Sequence, residues 1–194
     1  ASNGFDPTLE PYEFDPDLAR ALVDEARADG VPVDTTELFV NVRQAALPRI
    51  EEIAQAAQAM LASVGLNAKV KIQEASIYNP EYGQKPGPGR NYITMHPVGN
   101  DPMDAASSYQ TYATCGRGTS GICDEELDAM IAEASTLVGF PRTAALQAIG
   151  RRIHAQAYIG FVGQLDLAYG VSSNIEWDVP LDHRFIVRNM GLAD

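Results

Sequence analysis

One histidine and two carboxylates crowd into the segment "ITMHPVGNDPMD", residues 93–104: His96, Asp101 and Asp104. Histidine exchanges protons near neutral pH, and paired carboxylates can divide acid and base roles between them. That chemistry requires the groups to be held within reach of one another, and the local sequence gives each acid another use. Asp101 precedes Pro102, and Asp104 falls in the first turn of a following helix, where capping accounts for it. The other histidines, His154 and His183, have no metal-ligand spacing around them; His154 lies on a predicted helix two residues from Arg152, without an H-E-x-x-H pattern. No G-x-S-x-G elbow, Walker loop or G-x-G-x-x-G occurs, and "GPGR" at 87–90 lies among prolines that remove backbone donors. Calcium loops need more oxygen ligands in register than Asp101 and Asp104 supply. The motifs therefore speak against catalysis, and against a metal or cofactor.

The remaining reactive pair is Cys115 and Cys123 in "TCGRGTSGIC". The gap of seven residues does not suit C-x-x-C redox chemistry or a zinc knuckle. A disulfide closing a flexible polar loop and a pair of reduced thiols are both compatible with it.

The elements that carry these residues follow from periodicity. "DPDLARALVDEARADG" predicts a helix capped by Asp15, with Pro16 in its first turn, Leu18, Leu22, Val23 and Ala26 on one face, and Gly30 as its stop. "ELFVNV" predicts a short strand. A long helix is predicted from about Leu47 to Val64, begun by Pro48 and ended by Gly65, with a stripe of Ile50, Ile53, Ala57, Met60, Leu61 and Val64. "NAKVKIQEA" alternates as a half-buried strand, with Val70 and Ile72 opposite Lys69 and Lys71. Residues 79–90 are loop-like, and "NYITMH" is a strand whose exit loop is the opening segment. A helix near Ala105–Tyr112 precedes the cysteine loop. Two further helices carry Leu127, Met130, Ile131 and Ala134, then Leu146, Ile149, Ile153 and Ala157, on their inner faces. "FVGQLDLAYGVSS" predicts one or two strands, and the tail from Asn174 onward is irregular. Alternation of helix and strand predicts an α/β protein, a mixed sheet flanked by helices.

Bulk properties narrow the partners. The 194 residues are 45% apolar and 21% charged, which is ordinary globular composition. The formal net charge of −12 argues against nucleic acid, whose phosphates call for clustered Lys and Arg. No run approaches the roughly 18 apolar residues of a membrane span. The start "ASNGFDPTLEPYEFDP" shows no basic region followed by an apolar stretch of the kind a signal peptide carries.

Several segments in order resemble family 5 extracellular solute-binding proteins, the dipeptide, oligopeptide and nickel receptors of ABC importers. "PYEFDPDLARALVDEA" is similar to that family's "pYxyDPekAkaLLxEAG", and "RIEEIAQAAQAMLASVGLNAKVKIQEASIY" to its long helix followed by "L-x-x-iGikveiq". "GNDPMDAASSY" sits where the family carries "gD-x-x-DP". "CDEELDAMIAEA" resembles "N-x-e-vDalldeA", and "RTAALQAIGRRIHAQAYIGFVGQLDLAYGVSSNI" resembles the segment that closes the family's second lobe.

The resemblance implies the C-terminal lobe of a two-lobed, periplasmic-binding-protein-like fold (type II, class C). Residues 1–176 would form the lobe, and 177–194 a tail running toward the N-terminal lobe. It implies a periplasmic or cell-surface location, with lipoprotein anchoring as in some members. The implied partners are a small-molecule or peptide solute, the missing N-terminal lobe of the same protein and ABC permease subunits. Cys115 and Cys123 match positions where some relatives carry a bridged pair. The loop leaving the strand before the "DP" helix would line the solute cleft, which makes Met95, His96, Asn100 and Asp101 the candidate ligand-binding residues. Val98 stands where peptide-binding members keep an Asp for the ligand's ammonium, and Met95 lies near their usual tryptophan; "GND" matched to the "tGD" of other members would make Asp101 the cationic contact. Two other readings accompany this one: an enzyme using His96 and Asp101 as an acid–base pair, and a stand-alone sensor or interaction domain on the same fold.

Overall fold

Alternating helix and strand builds a parallel sheet. In the computed structural model, which describes residues 2–84, 91–100, 102–165, 168–180 and 185–193, the order begins α1 (Pro16–Ala28), β1 (Leu38–Arg43), α2 (Ile50–Ser63) and β2 (Ala68–Gln73). It continues with α3 (Ala75–Tyr82), β3 (Tyr92–Met95), α4 (Ala105–Tyr112), α5 (Glu125–Ala134) and α6 (Gly139–Ala155), and ends with β4 (Ile175–Trp177), a 3₁₀ turn (Val187–Asn189) and β5 (Met190–Leu192). Asp101, the "GPGR" segment and His183 lie outside the described residues.

The chain divides into two units. The sheet unit comprises Pro7–Gly99 and Thr111–Asp128; the helical unit comprises Ala1–Asp6, Asn100–Gln110 and Ala129–Asp194.

In the sheet unit the strand order is β2-β1-β3, all parallel, with Val40 opposite Val70 on one side and Ile93 on the other. Central β1 is buried through Val40, Asn41 and Val42, as a strand covered on both faces must be. Val40 and Val42 join Ile50 and Ala54 of α2 in one cluster, flanked by Leu47, Leu61, Val70 and Met95. The packed face of α2 therefore runs through Ile50, Ala54 and Leu61, while Ile53 and Met60 of the expected stripe are exposed. Gln58, on this side of the helix, donates to the Ala68 carbonyl at 2.9 Å. The helix begins at Ile50 because Arg49 adopts the left-handed conformation, φ 59°, which leaves Pro48 outside it.

The opposite face of the sheet is polar and lies against α3. Lys71 and Gln73 of β2 both donate to the Glu81 carboxylate, at 2.8 and 2.7 Å. Tyr78 is fully buried. The sequence assigned residues 79–90 to a loop, yet Asn79–Tyr82 are helical. Pro80 removes one helical donor, and burial of Tyr78 with the Glu81 contacts offsets that loss.

In the helical unit Leu146, Ile149 and Ile153 are buried along α6. Ala157, expected to share that face, lies past the helix end at φ 50° and is exposed. The N-terminal segment lies along α6: Thr143 donates to the Asn3 amide oxygen at 2.6 Å, Gln147 to the Phe5 carbonyl at 2.9 Å, and Arg151 pairs with Asp6. Gly4 is required there, since a Cβ on it would come within 2.7 Å of Leu146 Cβ.

Two expectations for the C-terminal region need correction. No strand forms over residues 161–165 or 168–173; Phe161 and Val162 are exposed, and an apolar run without a paired neighbour does not make a ladder. Order appears further on instead, where β4 pairs antiparallel with β5 and Tyr169, Trp177 and Phe185 form a ring cluster with centroids 4.6–5.8 Å apart. Parallel and antiparallel pairing thus occupy separate sheets. Among the described residues no helix is long and apolar enough to cross a membrane.

Candidate functional site

The strand order fixes where a site can form. From β1 the chain crosses to β2 on one side, then returns to place β3 on the other. At such a switch point the loops leaving the two strands diverge, and ligands bind beyond the carboxyl ends. Those ends are Arg43 on β1 and Met95 on β3, with His96 immediately after.

Met95 and His96 turn to different surroundings. Met95 packs against the cluster of Val40, Val42, Ile50 and Ala54. His96, one residue on, is directed toward α3. Its ring stacks on Tyr82, with centroids 4.9 Å apart, and is tilted against Tyr112 of α4 at 6.1 Å. Tyr82 stacks in turn on Tyr78 at 5.4 Å, so the half-buried rings are anchored to a buried one. Burial, and secondarily the Arg43 charge, lower the His96 pKa below its ordinary value. Around neutral pH the imidazole is therefore uncharged, offering one donor and one acceptor. The tyrosines add polarisable faces and hydroxyls, and burial raises the pKa of Tyr112. Arg43 contributes the fixed positive charge. The cluster of Arg43, Tyr82, His96 and Tyr112 is thus suited to holding a planar or polar solute.

Asn100 has a different local task in the helical unit. Its side-chain oxygen accepts from the Asp104 backbone N–H at 3.2 Å and from Ser107 Oγ at 3.4 Å, closing the turn that enters α4. Asp104 caps α4 through the Ala106 N–H at 2.9 Å, as its place in the sequence implied. It also receives Arg142 at 3.1 and 3.3 Å and the Asn3 amide at 2.9 Å. Burial would raise the Asp104 pKa, but these hydrogen bonds outweigh it and hold the carboxyl below its ordinary value. Asp104 is a structural hub that joins Asn3, the start of α4 and Arg142 of α6. Cys115 and Cys123 are joined in a disulfide. Among the described residues no three His, Cys, Asp or Glu side chains gather as metal ligands.

Arg43, Tyr82 and Tyr112 were not singled out from the sequence. Arg43 carried a readable signal, because it directly follows a predicted strand. Tyr82 was hidden by Pro80 and Gly83, which made its segment look like loop, and Tyr112 by its ordinary place in a predicted helix.

Comparison with known proteins places these observations. Comparison with curated proteins gives no match. Among solved structures, the oligopeptide-binding protein AppA from Bacillus subtilis, in complex with a nonapeptide, is 16% identical with TM-score 0.67 over 100% of this chain and 41% of its own. The ABC transporter substrate binding protein CtaP from Listeria monocytogenes is 18% identical with TM-score 0.65, over 81% of this chain and 31% of its own. NikA from Brucella suis, in complex with Fe(III)-EDTA, is 22% identical with TM-score 0.56, over 81% of this chain and 35% of its own. These likenesses establish the fold, and the chain spans only about a third to two fifths of the length of those proteins. Residues 1–120 match the family model described as bacterial extracellular solute-binding proteins, family 5 Middle. The chain belongs to the family 5 bacterial extracellular solute-binding proteins.

Proposed function

We propose that this chain supplies one solute-binding lobe of an extracytoplasmic receptor that delivers a small solute, peptide or similar, to the permease subunits of an ABC importer. One observation carries the reading: at the carboxyl edge of β1 and β3, where the fold diverges, a histidine held neutral by burial and by Arg43 is packed among tyrosines. Family membership supports it, as do the peptide and the metal chelate bound by AppA and NikA. A receptor of the relatives' length would bring an opposite wall and trap the solute by hinge closure. Asn100 and Asp101 remain candidate solute contacts through the family resemblance of their segment. The chain is read as a binding module and not a catalyst, working outside the cytoplasm, with membrane tethering by a lipid as one arrangement of the whole receptor.

The test is a thermal-shift screen of the full-length receptor against peptides of two to nine residues, sugars and metal chelates, followed by calorimetry on the best binder. Binding stabilises by mass action, so a true solute raises Tm with concentration. His96→Ala and Arg43→Met should each weaken the best binder about tenfold or more, equivalent to about 1.4 kcal/mol. Wild-type affinity in both variants would sink the assignment of this wall, and turnover of the solute would sink the binding-module reading.

A further inference from the structure

The loop closed by Cys115–Cys123 touches both tyrosines' supports. Gly118 lies against the backbone of Gly83, the residue that follows Tyr82 at the end of α3. A Cβ on Gly118 would lie 1.9 Å from the Gly83 carbonyl oxygen and 2.5 Å from its carbon, so only glycine permits this approach. On the other side, Thr119 Oγ1 donates to the Thr111 carbonyl at 2.6 Å, one residue before Tyr112. The loop is itself fixed: the Cys115 N–H donates to Asp128 at 3.0 Å, and buried Ser120 Oγ accepts from the Ile122 N–H at 3.1 Å.

We infer that this disulfide-closed loop spaces Tyr82 and Tyr112 about His96, with Cys115, Gly118 and Cys123 as positioning residues. The inference deepens the solute-wall reading and rests on it for its consequence in binding. The loop braces two helix ends, the last residues of α3 and of α4, and His96 is packed between the rings they carry. Among the described residues, the groups facing that imidazole are Arg43 from β1, Tyr82 from α3 and Tyr112 from α4.

The test follows the His96 ring by proton NMR across a pH titration, without solute, in wild type, Gly118→Ala and Gly121→Ala. Gly121 is in the same loop and a Cβ there meets open space, so it controls for a general effect of substitution. Gly118→Ala should raise the His96 midpoint and shift its ring resonances, because displacing the loop lets water reach the ring; Gly121→Ala should leave both unchanged. Should Gly118→Ala fail to fold, wild type is reduced with dithiothreitol, which converts the disulfide to two thiols, and is expected to change in the same direction. An unmoved His96 in the folded Gly118→Ala variant, or in reduced protein where that variant does not fold, overturns the inference. A second arm measures affinity for the best binder of the screen. A tenfold loss in Gly118→Ala joins the brace to binding. Unchanged affinity with a shifted His96 leaves the brace standing and counts against the solute wall instead.

Discussion

Removing the Asp104 carboxylate should cost the protein about 3 kcal/mol. The figure is a sum over its partners. The cap to the Ala106 N–H at 2.9 Å contributes about 1 kcal/mol. The Arg142 pair, at 3.1 and 3.3 Å with both side chains about a quarter exposed, contributes about 1–2 kcal/mol after solvent screening. The Asn3 bond adds about 0.5 kcal/mol. Asp104→Asn keeps an oxygen for the cap but loses the charge, so about half the loss should remain. Urea unfolding followed by circular dichroism reads both variants, with the m-value unchanged. A cycle with Arg142→Met should return a coupling of about 1 kcal/mol.

The dependence on pH has a definite sign. The folded-state pKa of Asp104 lies below its ordinary value of about 3.9, so its contribution is complete above that value and disappears as pH falls through the folded pKa. Wild type should therefore lose more stability than Asp104→Ala on acidification below about pH 4. A loss under 1 kcal/mol in Asp104→Ala, or equal acid sensitivity in the two proteins, would refute the assignment of Asp104 as the hub joining Asn3, α4 and α6.

Three further outcomes are expected. Arg43→Gln should raise the His96 midpoint in an NMR titration without carrying it fully to the ordinary value, because burial, the larger cause, persists. Since the folded His96 is the weaker base, its share of stability is present above about pH 6.5 and is lost as pH falls through the folded pKa; a midpoint unaffected by Arg43→Gln would show that the charge is not felt. Met95→Ala should lower the unfolding free energy by about 2 kcal/mol while His96→Ala changes it little, because the first residue packs in a core cluster and the second in a half-buried array; calorimetric or urea unfolding compares them. Leu146→Ala, at a fully buried position on α6, should cost about 3 kcal/mol by the same measurement, and a loss under 1 kcal/mol would mean the helical unit closes over the cavity.

Much of the architecture was legible because period and punctuation agreed. Alternation marked β2, a short run marked β1, and α4 appears over the residues its sequence indicated. Where the reading failed, tertiary packing outweighed local signal. Pro80 and Gly83 advertised a loop, but Glu81 receives two β2 side chains and Tyr78 buries its ring, so α3 extends to Tyr82. Residues 161–165 and 168–173 had strand composition yet form no strand, whereas β4 and β5 found each other across a ring cluster that no spacing rule reveals. Of the candidate site, His96 was visible as a histidine at a strand's end. Its neighbours were not, because Arg43, Tyr82 and Tyr112 come from three different elements and meet His96 only once β1 and β3 pair.

The central claim is that a solute lies against His96 at the carboxyl edge of β1 and β3. Titrating the full-length receptor with the best binder of the screen while recording the ring resonances of His96 and His154 tests it most directly. His154, on α6 in the helical unit, serves as the reference. The His96 resonances should move saturably with the Kd found by calorimetry, while those of His154 stay in place. Saturable binding by calorimetry with His96 unmoved would contradict it.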